Sequence, residues 1–294
     1  MTDSIFQEPD WEIGKHGVLD IHASFVNGRT EVEVQKRRIP FQWQGCHYQD
    51  HDDEPFVPLI TSTGGYVEGD ITEFHATMDS NTRLLVTGTS ASKFYKCLAG
   101  KSSREIVDVT VGPEALFEYH PGIAIPFAHS RTQRYTRINI DRSSRLFAAD
   151  LMSAGRIHYG EGEIFKFDSF VSIFEIISSG KRLAIDRLIA TERRNIDDLI
   201  QLWDGFHHMG IAFAYAPDLP KNIEDLVYDN CQGIENTVTG VTRIDNLIVV
   251  RILSVNSWQA YESIFNFWSA VRPDIAGKTA KQIRTGSSPT GVRF

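Results

Sequence analysis

From Val18 to Thr191 the chain reads as short extended runs broken by turn residues, and this punctuation limits the fold more than any single motif. Val18, Ile21 and Phe25 lead into Asn27-Gly28, and the alternating Glu31-Val32-Glu33-Val34 leads out. Asn and Gly both accept positive φ, which a tight hairpin turn demands. Further strands are expected at Ile71–Thr77, Arg83–Thr89, Arg104–Val111, Ala115–Tyr119, Thr132–Ile140 and Leu146–Met152, with Asp79-Ser80-Asn81, Val111-Gly112-Pro113 and Asp141-Arg142-Ser143-Ser144 as turns. Two more, Val171–Ile177 and Leu183–Thr191, flank Ser178-Ser179-Gly180. Strands at this spacing predict a mostly β fold in which sheets stack face to face.

The texture changes near residue 193. Asn195–Phe206 fits a helix face through Ile196, Leu199, Ile200 and Trp203, and His207–Tyr215 reads as a strand. Asn222 is placed to cap a short helix through Tyr228, with Glu224 and Asp225 at its positive end. A strand at Leu247–Val255 precedes a helix from Ser257 to about Val271, whose Trp258, Tyr261, Ile264, Phe265, Trp268 and Val271 follow helical spacing. Arg272-Pro273 is expected to end it, because the residue before proline resists helical geometry. The reading is one domain over 1–294: a mainly β body (1–192), an α/β C-terminal portion with a few helices (193–280) and a flexible tail (281–294).

Charge narrows the function classes. With 38 acidic against 30 basic side chains the net charge is −8, the wrong sign for a general nucleic-acid binder. No run approaches the roughly 18 apolar residues of a membrane helix, and the opening MTDSIFQEPDWEIG lacks the basic flank and apolar stretch of a secretory signal. Cys46, Cys97 and Cys231 form no paired framework, so reduced thiols and a cytoplasmic location are expected.

Candidate chemistry is sparse. Gly64-Gly65-Tyr66-Val67-Glu68-Gly69-Asp70 lacks the lysine and hydroxyl of a P-loop, and reads as a tight turn into the strand at Ile71. Ser90 and Lys93 have the SxxK spacing of some acyl enzymes without their companion motifs. Cys46, His47 and His51 are potential metal ligands in an Asp- and Glu-rich loop, but at none of the standard spacings. Glu161 and Glu163 offer paired acids that a β-scaffold hydrolase could use.

Several of these stretches, in order, resemble the urease accessory protein family UreD (UreH in some bacteria). Gly14-Lys15-His16-Gly17-Val18-Leu19 is similar to the family's opening, and Gly64–Asp70 to its GGLVxGD turn. Thr89–Lys96 resembles TxAxTKFYR, and Glu118-Tyr119-His120-Pro121 with Ile125–Arg131 resembles EYLPDPVIPFAxSR. Gly155-Arg156 with Gly160-Glu161 or Gly162-Glu163 resembles GRxxxGExF, and Leu183–Arg187 resembles PLxxDR. Leu247–Arg251 and Trp268–Pro273 with Gly277-Lys278 resemble LxVRxL and WxxLRPxLxGK.

The resemblance implies a two-sheet, β-helix-like scaffold without a reaction of its own. It implies binding to UreF, which recruits the GTPase UreG, and docking of the assembly on apo-urease. Nickel then passes to the urease active site through an internal polar tunnel, with no permanently bound cofactor and Ni²⁺ only in transit. Glu161, Glu163, Asp70, Thr89, Ser90 and Ser92 are the positions it suggests for transit, and Trp268 and Arg272 for a partner interface. The chain departs from the family's frequent Pro-Arg-Ile-Trp ending, reading Lys281-Gln282-Ile283-Arg284 instead. A divergent scaffold for another metalloprotein is the other reading this leaves open.

Overall fold

A computed structural model describes residues 14–48 and 53–281. β1 (His16–Val26) and β2 (Arg29–Arg38) form the anticipated hairpin, with Asn27 and Gly28 at φ 51° and 85°. The short β3 (Phe41–Gln42) and β4 (Phe56–Thr61) follow. The chain then winds through β5 (Ile71–Met78), β6 (Arg83–Gly88), β7 (Ser92–Phe94), β8 (Ser103–Val111), β9 (Leu116–His120), β10 (Ala124–Pro126), β11 (Arg131–Ile140), β12 (Arg145–Ser153) and β13 (Ser169–Ser178). β14 (Lys181–Ala190) turns back on β13. The C-terminal portion comprises α1 (Arg193–Leu202), β15 (His208–Tyr215), α2 (Ile223–Cys231), β16 (Thr237–Ile244), β17 (Leu247–Ser254) and α3 (Ser257–Ala276).

Two sheets result. The first has seven strands in the order β14-β13-β11-β8-β5-β1-β2. Its inner members β1, β5, β8, β11 and β13 run parallel, and the outermost strand on each side is antiparallel. The second has ten strands along the path β16-β17-β15-β12-β9-β6-β4-β3, with β10 and β7 attached beside β12. Between β5 and β13 the chain alternates sheets, and the short β7 and β10 add to the second sheet before the chain crosses back. The architecture is therefore mostly β and coiled like a β-helix, with antiparallel strands closing the ends.

The alternation of side chains along each strand accounts for the stacking. On β8, Val107, Val109 and Val111 enter an inter-sheet core with Leu84, Val86, Phe117, Ile138 and Phe174. The opposite face of the second sheet is also apolar. There Phe147, Ala149, Leu151, Ala212, Ala214 and Ile252 pack on α2 and α3 through Val227, Ile264, Phe267, Trp268 and Val271. A strand with apolar residues on both faces is what a doubly covered sheet requires.

Two local expectations change. α3 does not stop at Arg272-Pro273; it runs on to Ala276 and ends at Gly277, whose φ of 68° suits a left-handed cap. Arg272 is anchored in a buried ion cluster, and this tertiary hold carries the helix across the proline. β4 and β16, by contrast, were not anticipated. β16 lies at the sheet edge, and its burial alternates residue by residue, but apolar Val238 and Ile244 fall on the exposed phase, so its residue types hide the period.

Candidate functional site

The space between the sheets is not apolar throughout. At one end lies the valine- and phenylalanine-rich core, and at the other a second apolar cluster of Phe94, Met152, Phe165, Phe170 and Leu188. Between them runs a layer of polar side chains. Thr72 on β5, Glu105 on β8, Arg134 on β11 and Ser172 on β13 occupy one row of the first sheet by strand register. Asp150 on β12 completes the layer from the second sheet.

Arg134, 4 % exposed, is the centre of this layer. Its Nε donates to Glu105 Oε2 at 2.7 Å, and one terminal nitrogen donates to both Asp150 oxygens at 2.9 and 2.7 Å. Glu105 Oε1 accepts from the Ser92 hydroxyl at 2.8 Å and the Tyr66 hydroxyl at 3.0 Å. Tyr66 also lies 2.7 Å from Thr72 Oγ1. Burial is the strongest influence on each charged member and opposes ionisation. For Arg134 the two carboxylates outweigh it, and its pKa is raised. For Glu105 the guanidinium and the hydroxyl donors outweigh it, and its pKa is lowered. For Asp150 burial outweighs Arg134, and its pKa is raised. The charged pair at the centre of the layer is therefore Arg134 with Glu105.

Empty space adjoins the bridge at Glu105, and a groove lies beyond Asp150 with no bridge residue in its lining. A partly enclosed cavity of about 70 Å³ is lined by Tyr66, Thr72, Ser90, Ser92, Glu105 and Tyr119, and has room for about two waters. Gly122 forms part of its wall because the chains approach closely there: a Cβ on Gly122 would lie 1.9 Å from the Ser90 carbonyl oxygen. The groove, open and about 500 Å³, is lined by Asp186, Leu199, Trp203, Ile211, Val238 and Arg251. Asp150 pairs in register with Ile211 of this groove, and its charge helps burial to raise the pKa of Asp186.

The residues singled out in the sequence fall in different places. Ser90 and Ser92 line the enclosed cavity, and Ser92 bonds to the bridge. Thr89 donates to the Leu59 carbonyl at 3.1 Å. Asp70 is buried and accepts the backbone N–H groups of Lys15 at 2.8 Å and Val67 at 3.0 Å, so it pins the glycine-rich turn to the start of β1. Glu68 of the same turn receives the N–H groups of Leu98, Ala99 and Lys101. The turn is thus a framework element.

Glu161 is exposed, and Glu163 is clamped by the Arg156 guanidinium and the Ala128 N–H. The Arg156 bond is the first cause of the lowered pKa of Glu163, followed by burial, which opposes it, and the Ala128 bond. Arg156 itself lies over the rings of Phe127 and Tyr159. One acid is therefore tied in a structural ion pair and the other faces solvent, a poor arrangement for paired acid–base work. Cys46 is half-buried and His47 exposed, His47 exchanging backbone bonds with Phe56; His51 lies outside the described residues. Among the described residues no three His, Cys, Asp or Glu side chains come together as a metal cage.

Trp268 and Arg272 are each 1 % exposed, so neither side chain presents itself to a partner. Both reach Glu118 on β9, which is fully buried. Arg272 also donates to Glu54 Oε2 at 3.1 Å, and Lys278 bonds to Asp53 at 2.7 Å. Burial, then the Glu54 carboxylate, pushes the pKa of Glu118 up to about 8. Next to it His120 stacks on Phe147, and burial followed by the Arg272 charge pushes its pKa down to about 3. This cluster seals α3 to the second sheet.

Glu105, Arg134 and Asp150 were missed as site residues, although each sits in a correctly expected strand. Their signal was phase. Glu105 alternates with Val107 and Val109, Arg134 with Ile138, and Asp150 with Leu146 and Ala148, so each charge points into the core.

Fold and layer together define a wound β scaffold with a charged polar layer held between its two sheets. The chain belongs to the UreD urease accessory protein family, whose model it matches over residues 15–287. It is 27 % identical over 281 residues to urease accessory protein UreD 2 of Brucella abortus (strain 2308), covering 92 % of this chain and 91 % of the relative. The urease accessory protein UreD of Halalkalibacterium halodurans is 26 % identical over 259 residues, covering 87 % and 94 %. That of Blochmanniella pennsylvanica is 26 % identical over 287 residues, covering 95 % and 97 %. The family is one of accessory proteins and supports a role in urease maturation. Among the described residues no helix is long and apolar enough to cross a membrane.

Proposed function

We propose that this protein is a urease maturation scaffold that binds UreF and, through it, UreG, docks on apo-urease in the cytoplasm and assists nickel insertion into the urease active site. Family membership supports the maturation role. The observation that supports the nickel step is the polar layer around the Arg134–Glu105 ion pair, with a partly enclosed cavity against Glu105.

Nickel in water is strongly hydrated, and a cage of imidazoles or thiolates would retain it. A conduit has to offer oxygen ligands that bind weakly and let go. Glu105, Asp150, Ser90, Ser92, Thr72 and Tyr66 supply carboxylate and hydroxyl oxygens of this kind. Asp70, Thr89 and Glu163 fit framework roles better, since each is committed to a backbone or ion-pair partner, and Glu161 faces solvent. Ni²⁺ is cargo in this account and the protein keeps no resident metal.

The test is deletion of the chain in a urease-positive host, with reintroduction from a plasmid. The account expects urease with little nickel and little activity in the deletion, restored on complementation, and UreF and UreG co-purifying with the tagged chain. Urease fully loaded with nickel in the deletion strain would refute it.

A further inference from the structure

The Glu105–Arg134–Asp150 bridge runs from the partly enclosed cavity towards the strand that borders the open groove. Glu105 lines the cavity, Asp150 lies beside a residue of the open groove, and Arg134 touches both acids. We propose that Arg134 is a gate: its guanidinium occupies the place between Glu105 and Asp150 that a divalent cation takes in transit, and the ion crosses only when the guanidinium leaves one of them. The proposal rests on the nickel-transfer reading and adds the residue that controls passage.

Charge is the first argument. Two nearly buried carboxylates need a counter-cation, and Arg134 provides one. A metal ion beside that guanidinium would meet strong repulsion in a poorly solvated space, so the two cations exclude each other. Arg134 thereby keeps the layer closed to metal while no transfer is under way.

Geometry shows how the gate can open. Arg134 holds Asp150 by two bonds from one nitrogen and Glu105 by a single bond through Nε. Both contacts are as short as 2.7 Å, and Ser92 and Tyr66 remain on Glu105 Oε1 when the Nε bond breaks. Thr132, one strand repeat from Arg134 on the same face of β11, is fully buried and its hydroxyl oxygen has no hydrogen-bond partner. This is a lone pair without a donor beside the bridge, which an ion or its water shell would use. Arg137 on the same strand makes a contrast. It pairs with Asp108 and Glu175 at 30 % exposure, on the outer face, where water screens the charge.

The experiment uses the purified full chain and Ni²⁺ alone, measured by calorimetry and equilibrium dialysis, with circular dichroism to establish the fold. Arg134→Met removes the charge and keeps the bulk. Its affinity for one Ni²⁺ per chain should rise at least tenfold over wild type, and adding Glu105→Gln should return it to the wild-type value. A folded Arg134→Met protein that binds Ni²⁺ no more tightly than wild type overturns the gate. So does a gain that survives Glu105→Gln, because the ion then sits elsewhere. Should Arg134→Met fail to fold, Arg134→Gln removes the charge and keeps hydrogen-bonding capacity, and a severalfold gain is expected; no gain overturns the proposal. Full urease activation in cells carrying Glu105→Gln counts against the nickel-transfer reading alone, and the binding assay judges the gate.

Discussion

Replacing Arg272 with Met tests whether the cluster beneath α3 is a structural seal. In the wild type the guanidinium serves Glu118 at 3.0 Å, Glu54 at 3.1 Å and the Thr279 carbonyl at 2.9 Å, with 1 % of its surface exposed. Methionine fills much of the volume and leaves Glu54 and Glu118 without that donor, Glu118 holding its own proton below about pH 8. Removing one partner of a buried ion pair costs about 3–5 kcal/mol. At ~2–4 °C per kcal/mol for a large domain, the melting temperature should fall by roughly 6–20 °C.

The loss should depend on pH. Glu118 has a folded pKa of about 8, above the ~4.3 of an unfolded glutamate. Between those values the native state holds the extra proton, so its contribution is fully present below the lower value and declines as pH rises towards 8. The slope is at most about 1.4 kcal/mol per pH unit. Without Arg272 the carboxylate is harder still to ionise, so the variant should fall further behind the wild type between pH 6 and pH 9. Scanning calorimetry at both pH values reads this directly. A variant melting within about a degree of wild type at both would show that Arg272 is no buried counter-ion, and the account of the seal would fail.

His120→Phe should flatten the acid limb of the stability curve. The native His120 resists protonation down to about pH 3 while the unfolded side chain takes a proton near ~6.5, so stability is lost as pH falls through that window; urea unfolding at pH 7 and pH 5 reads the difference. Glu163→Ala should cost only about 1 kcal/mol, since its partner Arg156 is partly exposed, and should leave urease activation at limiting nickel unchanged once complex formation is confirmed. Gly122→Ala should destabilise by about 2 kcal/mol or more, because its Cβ would lie 1.9 Å from the Ser90 carbonyl oxygen and backbone must shift; unchanged thermal unfolding would contradict that close approach.

What the sequence made legible was local. Asn27-Gly28 could be read as a hairpin because positive φ at both residues is a property of those residues alone. Most strands from Ile71 to Ala190 could be read because turn residues bound them and one face is apolar, while the short β7 and β10 gave no such signal. The seal of α3 could not, since Arg272 meets Glu118 across 154 positions of chain, and neither residue carries a mark of the other. For the same reason Arg272-Pro273 looked like a helix end. The polar layer was half legible. Ser90 and Ser92 were found through their motif. Glu105, Arg134 and Asp150 carried a readable phase, but knowing that three inward charges meet requires the strand order, which comes from the winding of the chain between two sheets. Glu161 and Glu163 show the reverse case: a repeated dipeptide drew notice, and only the Arg156 contact identifies which copy is the framework residue.

The nickel content of urease matured by the Glu105→Gln chain tests the central claim most directly. The variant should be expressed in place of wild type, at equal level and with its complexes intact, and urease purified under limiting nickel for elemental analysis. The account predicts a several-fold loss of nickel per active site, with Glu163→Ala beside it fully loaded. Urease from Glu105→Gln cells carrying the wild-type complement of nickel would contradict the polar layer as the route.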